Sequence, residues 1–259
     1  MAATYRGLRD QLDEMDEPMI TPWGFKLAGN KAMAAGTFEP AETALIRKVL
    51  PEVDLLVNVG ANIGYYCCHA LNLGKPIIAF EPVPRNVRYL CKNLIANGWS
   101  NAEVYPIALT NKVGVLKIYG GGTGASVLEG WAGTSHNYAT FAASSTMDVM
   151  LGSRLKGKRA LILADVEGSE QLMLEGAMSL LSNDPKPVWM VEIVNEQHQP
   201  VGVHRNPNLS RTFQTFFRSG YQAFSVEEGL RRVTAEDLHA VSAGERRMTS
   251  HNFLFRATS

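Results

Sequence analysis

Along the middle of the chain, short apolar runs alternate with stretches whose apolar residues recur at helical spacing. The runs at 54–59 (DLLVNV), 76–80 (PIIAF), 159–164 (RALILA) and 187–194 (PVWMVEIV) show little polar alternation, the pattern of strands buried on both faces. The helical stretch at 65–73 is stopped by Gly74, that at 84–97 starts on Pro84 and precedes Gly98, and a third covers 169–181. Residues 102–109 predict a further strand, 114–118 a hairpin, and 120–133 (GGGTGASVLEGWAG) a glycine-rich loop. Strand–helix–strand units of this length predict parallel neighbours joined by right-handed crossovers. The expected fold is a doubly wound, Rossmann-like α/β sheet with helices on both faces.

The two ends add to this centre. Residues 1–50 read as an extension: an acidic helical segment (Asp10, Asp13, Glu14, Asp16, Glu17), a short hairpin within the Pro/Gly-punctuated stretch 18–36, and a helix from Pro40 with Glu39 and Glu42 near its start. Residues 51–259 read as one domain, whose last third holds a helix at 209–218 ended by Gly220 and strands at 223–226 and 252–256. Arg231, Arg232, Arg246 and Arg247 read as solvated loop charges.

Composition narrows the function. A chain of 259 residues, 46% hydrophobic and 19% charged, has an ordinary globular profile and needs no disulfide or structural metal to hold a core. Lys+Arg and Asp+Glu balance at 25 each, which argues against a nucleic-acid partner and for a small or neutral substrate. Cys67, Cys68 and Cys91 have no zinc-knuckle or C-x-x-C spacing, so a cytoplasmic location is expected. No signal-peptide core is seen in residues 1–16 and no membrane-length apolar run further on, so neither secretion nor a membrane span is expected.

Open α/β sheets bind ligands beyond the carboxyl ends of their strands. The first core strand runs into Asn58, Val59, Gly60, Ala61, Asn62, Ile63 and Gly64; the glycines allow close backbone approach, and the helix that follows offers N–H groups to an anion. The next strand ends at Glu81 and Pro82, about 20 residues on, where an acid accepts hydrogen bonds from both hydroxyls of a ribose. The G-x-x-x-G spacing lacks the middle glycine of G-x-G-x-x-G, which admits a pyrophosphate, so a nucleoside ligand without phosphates fits better. S-adenosylmethionine is such a ligand. Its ribose would meet Glu81, its amino-acid end the turn from Gly60 to Gly64, and its adenine Ile107 and Ala108.

The segments VNVGANIGYYCCHA (57–70), AFEPVP (79–84), ADVEGSEQLMLEGA (164–177) and VEIVNEQH (191–198), in this order, resemble the FkbM family of S-adenosylmethionine-dependent methyltransferases, and the similarity extends from about Gly24 to Phe255. The resemblance implies a class I methyltransferase sheet, mostly parallel with an antiparallel C-terminal strand, and methylation of a hydroxyl on a sugar, glycan or polyketide-like metabolite. The sequence departs from the family pattern at Asn58, where an acid is common; an amide oxygen still accepts a hydrogen bond from the methionine amino group.

The fourth core strand ends in Asp165, Val166, Glu167 and Gly168. Strand alternation carried to that end puts Asp165 and Glu167 on one side, facing the cleft. Asp165 is a candidate for the methionine amino group or the transferring methyl, and Glu167 for the substrate hydroxyl, with helix capping before Ser169 as its competing role. No Asn/Asp-Pro-Pro-aromatic motif of amino-methylating enzymes stands here. The fifth strand ends near Glu192, with His198 beyond it as candidate general base and Glu192 as its orienting group or the acceptor's anchor; an exposed loop histidine is the alternative. Thr123, Ser126 and Trp131 of the glycine-rich loop are candidate contacts for a polyhydroxylated acceptor. Asp165, Glu167, Glu192 and His198 offer hard ligands to Mg²⁺, but no linear ligand motif requires a metal and the favoured reading has none. Two further readings remain: a catalytically silent nucleoside-binding or regulatory member, and a nucleotide-dependent oxidoreductase with a degenerate glycine turn.

Overall fold

A computed structural model describes residue 13 and residues 15–258; Asp10 and Glu14 of the acidic segment lie outside the described residues. Strands β1 (Met19–Ile20) and β2 (Lys26–Leu27) pair as a short antiparallel hairpin, and helices α1 (Lys31–Ala35) and α2 (Pro40–Val49) follow. Next come β3 (Leu55–Val59), α3 (Tyr65–Asn72), β4 (Ile77–Phe80), α4 (Pro84–Ala96) and β5 (Glu103–Tyr105). A second group holds β6 (Ala108–Leu109), β7 (Gly114–Tyr119), β8 (Ala139–Ser145) and α5 (Met147–Leu151). After these run β9 (Ala160–Ala164), α6 (Glu170–Glu175), α7 (Met178–Leu181), β10 (Val188–Glu192), α8 (Leu209–Arg218), β11 (Tyr221–Ser225), β12 (Arg231–Val233), α9 (Ala235–Ala243) and β13 (Asn252–Ala257).

Eight strands form one sheet in the order β12-β11-β13-β10-β9-β3-β4-β5. Strands β10, β9, β3, β4 and β5 are parallel neighbours, whereas β13 runs antiparallel to both β10 and β11, and β12 antiparallel to β11. This is the expected doubly wound, mostly parallel class I sheet. The pleat of β3 feeds two cores: Val57 and Val59 join Met173, Leu180 and Phe213 on one face, while Leu56 joins Ile46, Cys67 and Leu90 from α2, α3 and α4 on the other. Each such side chain, once buried, contributes roughly 1.5–3 kcal/mol. Among the described residues no helix is long and apolar enough to cross a membrane.

The N-terminal segment is tied to this body through α4. Two asparagines one turn apart act there as a surrogate strand. Asn97 Oδ1 accepts from the Lys26 N–H and Asn97 Nδ2 donates to the Lys26 carbonyl, both at 2.7 Å. Asn93 does the same with Ala28, at 2.7 and 3.2 Å, and reaches the Ile63 carbonyl at 2.9 Å.

Several elements differ from the sequence reading. The strand expected at 102–109 is divided at Pro106, which lacks an N–H for the ladder: β5 stays in the main sheet and β6 joins a three-stranded sheet, β6-β8-β7. The hairpin expected at 114–118 is a pairing of β7 with β8 across the glycine-rich loop, in register from Gly114↔Ser144 to Tyr119↔Ala139. The helix expected at 169–181 is split at Gly176, where a Cβ would stand 2.1 Å from the Thr110 carbonyl oxygen. Arg231 and Arg232 lie on strand β12 and not in a loop, whereas Arg246 and Arg247 lie in the irregular segment after α9, and three of the four are paired: Arg231 with Glu228 and Asp237, Arg246 with Asp237, and Arg247 with Glu196.

Chain order reverses beside β3, with β4 and β5 on one side and β9 and β10 on the other, so a crevice opens between the ends of β3 and β9. There Asp165 N–H donates to the Val59 carbonyl at 3.0 Å, and a Cβ on Gly60 (φ +75°) would lie 1.8 Å from the Asp165 carbonyl oxygen. No side chain fits. Gly60→Ala is expected to destabilise the fold by about 3 kcal/mol or more, read as a large fall in the urea midpoint.

Candidate active site

The turn after β3 is organised by the end of β4. The N–H groups of Gly60 and Ala61 both donate to the Phe80 carbonyl, at 2.9 and 3.0 Å, and that of Asn62 (φ +51°) donates to Glu81 Oε2 at 2.7 Å. These donors are therefore occupied, and the turn is not the open anion cradle expected from its glycines. Gly64, φ +85°, is a packing residue: a Cβ there would meet Leu90 Cγ at 3.0 Å. Ala61 is buried in the core between β3 and α3.

Glu81 is 4% exposed. Besides the Asn62 N–H, it accepts from the Val83 N–H at 2.9 Å and from Asn86 Nδ2 at 3.3 Å, both on Oε1. Burial nevertheless raises its pKa, against the pull of these donors toward the ionised form. Glu81 and Pro82 form one wall of a cleft of about 560 Å³, part of it open to solvent. Val59, Gly60 and Asn62 line its floor, Ile107 and Ala108 an apolar side, and Asp165 and Glu167 its far end.

Asn58 is not part of this lining. Strand alternation turns it toward α3, where Nδ2 lies 3.5 Å from Cys67 Sγ and the buried Oδ1 has no hydrogen-bond partner among the described residues. The expected contact with a methionine amino group is thus not positioned by this residue.

The glycine-rich loop is an ordered cover. Gly122, Thr123, Ala125, Ser126 and Val127 line the cleft from above. Ser126 Oγ donates to the Glu167 carbonyl at 2.6 Å, and Trp131 Nε1 donates to Glu167 Oε2 at 2.7 Å. Trp131 is only 1% exposed and its ring rests on Gly168, where a Cβ would come within 2.5 Å of it. Ser126 and Trp131, expected from the sequence as acceptor contacts, instead anchor the loop to Glu167. Thr123 retains its place on the cleft wall.

Asp165 and Glu167 of the cleft wall come together with Glu192, each half-buried. Asp165 and Glu192 share a hydrogen bond. Burial and mutual repulsion push Asp165 well above the usual carboxylate range, and burial, with the nearby acids, pushes Glu192 up to about 8. Glu39, a left-handed residue (φ +40°) at the start of α2, adds a fourth carboxyl to this group; it accepts from Tyr66 Oη at 2.6 Å. Glu167 sits at φ +51°, beyond the end of β9, so a turn and not strand alternation aims it at the cleft. It does not cap the next helix: Glu170 Oε1 accepts the Gly168 N–H at 2.8 Å. Burial raises Glu167 as well, while His198 pulls it the other way.

His198 is exposed, with its ring centroid 5.9 Å from that of Trp131. Its electrostatic neighbour is Glu167. Glu192 is engaged with Asp165, and no described hydrogen bond joins it to His198. Among the described residues no group of three or more His, Cys, Asp or Glu side chains has the geometry to hold a metal ion. Sequence reasoning missed Glu39 and Asn86, which it had no means of telling from surface residues.

Glu170, 3% exposed at the start of α6, is pushed up to about 8 by burial, from an ordinary value of 4.5. The folded chain keeps its proton while the unfolded chain releases it, so this contribution to stability is full below pH 4.5 and is lost as pH rises toward 8. Glu170→Gln is expected to flatten that decline, measured as urea midpoints across the interval.

Residues 58–223 match the family model described as the Methyltransferase FkbM domain. No curated protein matches the chain at a significant level. Among solved structures, the chain is similar to a methyltransferase FkbM from Methylobacillus flagellatus KT, at 16% identity and a TM-score of 0.48, covering 88% of this chain but 55% of that one. It is also similar to an O-methyltransferase from Bacillus cereus in complex with SAH, at 11% identity and a TM-score of 0.48, over 88% of this chain and 84% of that one. A third is Aeropyrum pernix fibrillarin with natively bound S-adenosyl-L-methionine, at 13% identity and a TM-score of 0.39, over 79% and 66% of the two chains. With the family model matching well over half of its length, the chain belongs to the FkbM family of S-adenosylmethionine-dependent methyltransferases.

Proposed function

We propose that this chain is an O-methyltransferase that moves the methyl group of S-adenosylmethionine to a hydroxyl of a sugar, glycan or secondary metabolite. The observation that carries the reading is that Asp165 and Glu167 line the same cleft as Glu81, with Glu192 bonded to Asp165 beside them. The bound donor supplies an electrophilic methyl on a positively charged sulfur. Transfer forms an oxygen–carbon bond, breaks the carbon–sulfur bond with both electrons going to sulfur, and releases the hydroxyl proton. His198 takes that proton on a ring nitrogen, and Glu167, held by Trp131, stabilises the imidazolium that results. Asp165 and Glu192 hold the methionine ammonium and the acceptor hydroxyl, so that oxygen, carbon and sulfur align; such positioning supplies roughly 7–11 kcal/mol. Gly60 and Asn62 support the donor beside Glu81, with adenine against Ile107 and Ala108.

The even charge balance favours a small-molecule or glycan acceptor over nucleic acid, and the free cysteines fit a reducing cytoplasm. The assignment gives no step to a metal.

His198→Gln is expected to lower turnover by about a hundredfold or more, with the dissociation constant for S-adenosylhomocysteine unchanged in calorimetry. Near-normal turnover would remove His198 from the reaction. Transfer of a tritiated methyl group into a hydroxyl of a cell-extract glycan or metabolite pool tests the reading as a whole. Donor binding with no transfer to any pool would favour the catalytically silent alternative.

A further inference from the structure

Glu81 has fewer free acceptor positions than a bidentate ribose contact needs. A carboxylate offers about four lone-pair sites. Oε1 already receives two donors, the Val83 N–H and Asn86 Nδ2, and Oε2 receives the Asn62 N–H. One site remains, on Oε2.

Beside it lies an acceptor with nothing to accept. Asn86, on the first turn of α4, is 3% exposed and lines the cleft. Its Nδ2 donates to Glu81 Oε1 at 3.3 Å and to the Gly122 carbonyl of the covering loop at 3.1 Å. Both neighbours are acceptors, so they fix which end of the amide faces them. The buried Oδ1 is left without a partner among the described residues. An orphaned buried carbonyl of this kind costs about 1–3 kcal/mol, and a ligand O–H would relieve it.

We propose that the two ribose hydroxyls of the adenosyl ligand are divided between two residues, one donating to Glu81 Oε2 and the other to Asn86 Oδ1. Asn86 is then a ribose-binding residue that also links the covering loop to the acid of the sugar site. The inference rests on the reading of the cleft as an S-adenosylmethionine site.

Calorimetric titration separates the two. The ligands are S-adenosylhomocysteine and its 2′-fluoro-2′-deoxy and 3′-fluoro-3′-deoxy analogues, in which fluorine cannot donate. The wild type is expected to bind each analogue about tenfold more weakly than the parent. Asn86→Ala is expected to weaken the parent about tenfold, after which one analogue loses nothing further while the other still loses about tenfold. If both analogues still lose tenfold in the variant, or if the variant binds the parent as the wild type does, Asn86 takes no hydroxyl and the proposal is overturned. A wild type indifferent to either fluorine overturns it without any variant. Asn86→Ser carries the same cycle if the alanine variant does not fold. A wild type that binds no S-adenosylhomocysteine defeats the reading of the cleft itself.

Discussion

The contact between the Gly60 backbone and the Asp165 carbonyl is the constraint on which the site depends. It lies where strand order reverses, and it binds the ends of β3 and β9 so closely that only hydrogen is tolerated at the α-carbon. The floor of the cleft and its acidic end are therefore one rigid piece. Glu81 extends that piece to β4, because its carboxylate holds the N–H of Asn62 in the same turn. Three strand ends are thus locked into a single frame before any ligand arrives, which is what alignment of three reacting atoms requires.

Around that frame the protein gathers like charges. Asp165 and Glu167 follow β9, Glu192 ends β10 and Glu39 precedes α2, so these carboxyls come from three different segments, and no lysine or arginine forms a described ion pair with any of them. Burial raises all four, repulsion between carboxyls adds to it at Asp165, Glu192 and Glu39, and the field is relieved by the hydrogen bond between Asp165 and Glu192, by the Trp131 indole on Glu167 and by the Tyr66 hydroxyl on Glu39. A positively charged sulfonium and ammonium would relieve it further.

The parts of this arrangement that local chemistry decides were legible in the sequence. Runs such as RALILA and PIIAF are too apolar to face water on either side, so their burial in a parallel sheet followed directly, as did the end of α3 at Gly74. Gly60, Asn62, Glu81, Asp165 and Glu167 sit at strand ends, and the cleft brings them together. What long-range packing decides was not legible. The composition ATFAASS gives β8 no strong alternation, and it becomes a strand because β7 offers an edge. Helix α9 announces itself only by the capping box of Thr234 and Asp237. The reversal of Asn58 away from the cleft depends on one step of pleat, and the roles of Glu39 and Asn86 depend on elements that meet only in three dimensions.

The covering loop is fastened by an aromatic residue with unusual optical exposure to events below it. The Trp131 indole N–H is bonded to Glu167 and its ring packs against Gly168, so a change of charge on that carboxyl alters the polarity around the chromophore. The chain thereby carries an intrinsic fluorophore bonded directly to a carboxyl that lines the cleft.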